Sequence, residues 1–125
     1  MNGDDGVRQL SMRYGSLLDS LQRALETQIG PLLWRDRADA ARTDDPRLVR
    51  VGPIFGSGVA LETVDSAGLR SAVNEVLEHH GFHPIDSFIE EEWGEWHVTV
   101  ADGHQAQLTI SLSGAAEAHV AAVPA

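Results

Sequence analysis

Glu75, His79 and His83 recur at four-residue intervals, with Glu78 and His80 beside them. Imidazole and carboxylate one helical turn apart is a spacing that zinc accepts, so a metal-dependent hydrolase using His79 and His83 is one reading of this cluster. Against it, Gly81 closes the helix before His83, no HExxH motif occurs, and a closed site needs three or four fixed ligands. The plainer expectation is that His79 and His80 stand near a helix C-terminus, where positive charge is favoured by about 0.3–1 kcal/mol.

The second candidate is EEEWGEW, residues 90–96, four glutamates around Trp93 and Trp96. Paired carboxylates beside an aromatic platform could hydrolyse glycosides if they flanked a cleft about 5–9 Å across. A hairpin tip is convex, which argues against that use. A two-residue Gly94-Glu95 turn would make Trp93 and Trp96 direct cross-strand neighbours, stabilising the hairpin by about 0.5–1 kcal/mol. Tryptophan is also enriched at interface hot spots. Trp93, Glu95 and Trp96 are therefore the expected protein-binding residues. Ser57, Ser66 and Ser71 supply no GxSxG elbow. The glycines of GPIFGSG, residues 52–58, do not follow the strand, glycine turn, helix order of a dinucleotide or phosphate loop and read as turn residues. No catalytic, metal or cofactor residue is nominated.

These groups must be held by a chain of 125 residues, the length of one ordinary domain. Lys plus Arg is 9 against Asp plus Glu at 19, a formal charge of −10. That excess repels nucleic acid and anionic lipid and draws a basic protein or a cation. The absence of cysteine excludes a disulfide framework, thiolate catalysis and cysteine zinc sites. No apolar run approaches the roughly 20 residues of a membrane span. The opening MNGDDGVRQ lacks the basic and apolar blocks of a signal peptide. The chain as given is thus expected in the cytoplasm, or in the cell envelope if an upstream export segment is missing.

The element that organises the rest is SAGLRSAVNEVLEHHGF, residues 66–82. Leu69, Ala72, Val73, Val76, Leu77 and His80 form one helical stripe. Asp65 or Ser66 can cap its start, and Gly81 with Phe82 makes a Schellman stop. A second helix of roughly 22 residues follows Asp4 or Asp5, with Val7, Leu10, Tyr14, Leu17, Leu18, Leu21 and Leu25 on one face, and ends at Gly30-Pro31. Leu32, Leu33 and Trp34 are expected to anchor the chain beyond it, and residues 35–46 to form an exposed mobile loop.

Strands are expected at 48–51, 59–64, 84–92, 96–101 and 104–112. In the last hairpin a three-residue loop, Ala101-Asp102-Gly103, would pair Val98 with Ala106 and Trp96 with Leu108, burying the same face of both strands. The tail from Gly114 reads as frayed. The fold class is an α+β two-layer sandwich, two helices on one face of a mainly antiparallel sheet of four to five strands.

RYGSLLDSLQRAL at 13–25 with Trp34, EVLEHHGF at 75–82 and WHVTVADGHQAQLTI at 96–110 together resemble the small LppA-like bacterial lipoproteins. The resemblance implies an envelope α+β domain of unsettled activity and no site residues. Unlike those lipoproteins, the chain carries neither a lipid-attachment cysteine nor paired cysteines. The functional expectation is a non-enzymatic module that binds a protein partner or forms a homo-oligomer. An acidic immunity or inhibitor protein that captures a basic toxin, and the hydrolase at His79 and His83, stand as alternatives. No nucleic acid is expected as partner, and the sequence names no small-molecule ligand.

Overall fold

The computed structural model of the protein describes residues 4–37, 39–45, 47–91 and 94–124, the side chains of residues 4 and 5 excepted. Two helices cover one face of a seven-stranded antiparallel sheet, so the α+β class holds with more strands than the four to five expected. Helix α1 spans Asp4–Ile29 and buries Leu10, Tyr14, Leu17, Leu18, Leu21 and Leu25. It ends where Gly30, at φ 114°, donates its amide to the Glu26 carbonyl at 2.8 Å, one residue before Pro31 removes the next donor.

Strands β1 (Leu33–Trp34) and β2 (Ala41–Arg42) both pair with β3 (Val49–Ser57). Leu33 does not anchor the chain; it is 78% exposed, whereas Trp34 packs over Gly56. Nor is 35–46 merely a loop. It carries β2, and Arg37 in it donates to Asp19 Oδ1 and to the Gly15 carbonyl of α1.

The expected turn through GPIFGSG is likewise corrected, because β3 runs straight through it. The sheet takes up Pro53, which cannot donate, with a register shift between Val51 and Ile54. Gly52 there has φ 99°, and a Cβ on it would stand 3.1 Å from Leu18 Cδ1 and 3.2 Å from the Ala118 carbonyl oxygen. These glycines admit a helix and an indole to the strand.

Residues 59–64 form no strand but lead into one 3-10 turn at Leu61–Thr63, where the Thr63 hydroxyl donates to the Ala60 carbonyl. Such local side-chain bonds compete with a ladder. Helix α2, Ser66–His79, is capped by Asp65, whose carboxylate accepts from the Ala67 amide. It stops as expected: Gly81 has φ 79°, and the Phe82 amide donates to the Leu77 carbonyl at 2.9 Å, carrying Phe82 into the core.

The remaining strands are β4 (Ile89–Glu90), β5 (Trp96–Ala101), β6 (Gln107–Leu112) and β7 (Ala115–Ala122). The spatial order is β1-β3-β7-β6-β5-β4, with β2 also on β3. The segment read as a frayed tail is thus a central strand, hydrogen-bonded to β3 and β6. Alanine is a poor strand former, but its alternation decides here: Ala116, Ala118, Val120 and Ala122 are buried, and the residues between them are not.

In the β5–β6 hairpin, Trp96 pairs with Leu112, Val98 with Ile110 and Ala101 with Gln107. The loop is longer than the expected three residues because Asp102 caps a five-residue turn. Its amide donates to the Ala106 carbonyl, and its Oδ1 accepts from the amides of His104 and Ala106. The left-handed residue of this turn is Gln105, at φ 66°.

Candidate functional site

The acidic and aromatic stretch 90–96 lies along the β4 edge of the sheet. Register places Trp96 opposite Glu90, so a two-residue Gly94-Glu95 turn does not join the strands. Within it the Gly94 amide donates to the Glu91 carbonyl and the Glu91 amide to the Glu95 carbonyl. Trp93 itself lies outside the described residues. Trp96 shares the helix-covered face of the sheet with Leu112, is half-buried, and stacks on Phe88 with ring centroids 6.0 Å apart. Its indole N–H donates to Glu90 Oε1 at 3.1 Å.

Trp96 and Glu90 line a cleft of about 490 Å³ together with Val59, Leu61, Glu62 and Gly94. Glu91 and Glu95 are exposed, and neither lines it. The segment after β3 and the β6–β7 turn at Ser113-Gly114 thus meet Trp96 and Glu90 in one cleft at the strand ends beside β4. Charge repulsion alone does not order this rim. The strand pairing and the indole bond do.

The histidine cluster does not assemble. His79 is exposed, His80 is half-buried, and their rings meet edge-on at 6.2 Å. Burial, then the neighbouring His79, lowers the pKa of His80. His83 lies beyond the helix stop, with its amide bonded to the Ala101 carbonyl. Among the described residues no three His, Cys, Asp or Glu side chains come together as a group that could hold a metal ion.

Two groupings escaped the sequence. On the sheet face away from the helices, His97 Nδ1 lies 3.2 Å from Glu91 Oε1, and Ser111 stands opposite His97 in register. Carboxylate, imidazole and hydroxyl are in relay order, but among the described residues no hydrogen bond joins Ser111 to His97, so the imidazole does not poise that hydroxyl. The period-two pattern of β5 and β6 could have shown this row only once their register was known.

The other grouping is Tyr14 with Asp102. The Tyr14 hydroxyl donates to Asp102 Oδ2 at 2.7 Å, inside the protein. Burial, reinforced by the carboxylate, pushes the Tyr14 pKa up to about 12. Burial alone would raise Asp102, but the tyrosine hydroxyl and the two loop amides donate to it, and the balance holds its carboxyl below the usual value. Tyr14 also lines a cleft of about 670 Å³ with Leu10, Met12, Arg13, His104 and Val123. The Tyr14 proton is held by Asp102, and Asp102 is held in turn by the His104 and Ala106 amides, so the pair ties α1 to the β5–β6 loop.

No family model, curated protein or solved structure matches the chain. The reading of function therefore rests on the geometry. Among the described residues no helix is long and apolar enough to cross a membrane. The arrangement with the clearest chemical preference is the β4 edge: carboxylates over an apolar and aromatic floor, suited to a cationic side chain with an aliphatic stem.

Proposed function

We propose that this chain is a non-enzymatic protein-binding domain that receives a basic segment of a partner protein along the β4 edge. The observation that carries the reading is the cleft floored by Trp96, Val59 and Leu61 and bordered by Glu62 and Glu90. A lysine or arginine there lays its stem on apolar surface and its charge between carboxylates. The formal charge of −10 favours the same partner at longer range and speeds its encounter.

Calorimetric titration with an arginine-rich peptide tests this. Binding should weaken as salt is added, and Trp96→Ala or Glu62→Gln with Glu90→Gln should each lower affinity by about tenfold, a loss of about 1.4 kcal/mol. Equal affinity for the variants would remove this edge as the site. The acidic immunity or inhibitor reading is the same surface with a basic toxin as partner. It is favoured if the titration reaches nanomolar affinity with one basic protein rather than micromolar affinity with many basic peptides.

A further inference from the structure

Trp96 is held as a fixed plate. Its backbone pairs with Glu90 of β4 on one side and with Leu112 of β6 on the other. Its ring stacks on Phe88 with the planes 25° apart, and its indole N–H is tied to Glu90 Oε1 at 3.1 Å. Phe88 does not line the cleft that Trp96 shares with Val59, Leu61, Glu62 and Glu90. It lines a second cleft, against α2, with Arg70. The indole therefore separates the two, with Phe88 on one side and the carboxylate-bordered cleft on the other.

The carboxylates of that cleft have capacity left. The indole occupies one oxygen of Glu90, and among the described residues nothing else donates to Glu90 or Glu62. No basic side chain lines the cleft. Arg70, in the neighbouring one, donates to the Asp86 carbonyl instead.

From this we infer that the cleft is an arginine receptor: it takes an arginine of the partner in preference to lysine, stacking the guanidinium on Trp96 while its N–H groups donate to Glu90 and Glu62. The inference deepens the protein-binding reading and rests on it.

The preference follows from the shapes of the two cations. A guanidinium is flat, so it can lie on an indole and still direct its N–H fork outward in its own plane, toward carboxylates at the rim. Glu90 stands at such a rim, at the indole nitrogen. An ammonium points its three N–H groups tetrahedrally and cannot serve ring and carboxylates equally well. It is also the more strongly hydrated ion, and Glu62 and Glu90 are exposed, so it gains less by leaving water for this open site. Tryptophan is the best of the aromatic rings for holding a cation. The chain already uses the same contact elsewhere, where Arg35 lies over the Phe55 ring at 4.3 Å.

Calorimetric titration of the intact chain with three peptides tests this. The first is arginine-rich, the second has lysine at every arginine, and the third has homoarginine there, which is a guanidinium on the lysine stem. All three carry the same charge, so their long-range attraction is equal. The arginine peptide should bind about tenfold more tightly than the lysine peptide, the size of a partly desolvated guanidinium–indole contact, and homoarginine should recover most of the difference. Trp96→Leu, with unchanged circular dichroism, should bring arginine and lysine to equal affinity. Equal affinity of those two peptides for the wild type overturns the inference and leaves the basic-segment reading standing. Failure of all three to bind overturns both. A lead for arginine that survives Trp96→Leu, or that homoarginine does not share, also overturns the inference. The wild-type comparison needs no variant, so it decides even if Trp96→Leu fails to fold.

Discussion

Tyr14 and Asp102 show how one buried hydrogen bond decides a loop. Asp102 is buried yet ionised, because a phenol and two amides donate to it. The chain has one tyrosine, so alkaline absorbance titration reads this group directly, and its midpoint should fall near pH 12. A folded pKa raised from 10 means that the folded chain holds its proton while the unfolded chain releases it. Stability is then full below pH 10 and falls between about 10 and 12, by on the order of 2–3 kcal/mol. Asp102 works in the opposite sense, with a lowered carboxyl pKa whose stabilisation is lost as acid protonates it. Tyr14→Phe should flatten the alkaline fall and cost about 1–3 kcal/mol at neutral pH, since Asp102 Oδ2 loses its donor. A midpoint near 10 in the wild type would mean that the hydroxyl is free.

Strand β7 carries the largest consequence at the level of elements. It joins β3 to β6 along its length, so removing residues 115–125 should abolish the cooperative melting transition rather than trim a loose end. Ala118→Leu should cost about 1–3 kcal/mol by overpacking, since Ala118 is fully buried between Ile54 and Ile110. If the truncated chain melts like the intact one, β7 is not integral. Helix stops, the α+β class and the inward faces of β5 and β6 were legible in the residues. The wrong hairpin loop kept those faces because Val98 moved from Ala106 to Ile110, an even number of positions. β7 was hidden because alanine and a single charge at alternate sites carry little strand propensity. GPIFGSG was misread because its glycines answer to Leu18 and Trp34, which approach from elsewhere in the chain. Of the expected site, Trp96 lines the cleft and Glu95 does not. Leu61 and Glu62 join Trp96 only through the turn after β3, which no local pattern announces.

Across the whole molecule, the strand order ties early sequence to late: β3 cannot pair inward until β7 arrives, and β7 is made last. The sheet therefore has a centre that forms only with the complete topology and margins that hang from it. β1, β2 and β4 are two residues long and exposed or half-exposed, with few apolar contacts to lose on opening. Native-state hydrogen exchange should follow this division. Ladder amides of β7 and β6, flanked by strands on both sides, and those of α1 around Leu17, Leu18 and Leu21, which are fully buried, should exchange only through global unfolding and share one free energy. Ladder amides at Ile89–Glu90, Leu33–Trp34 and Ala41–Arg42 should open locally at lower cost. Raising salt should slow exchange at the central group, because screening relieves the repulsion of a chain carrying a formal −10 in its compact state. Exchange in β7 as fast as in β4, at any salt concentration, would mean that the late strand decorates a sheet already complete without it.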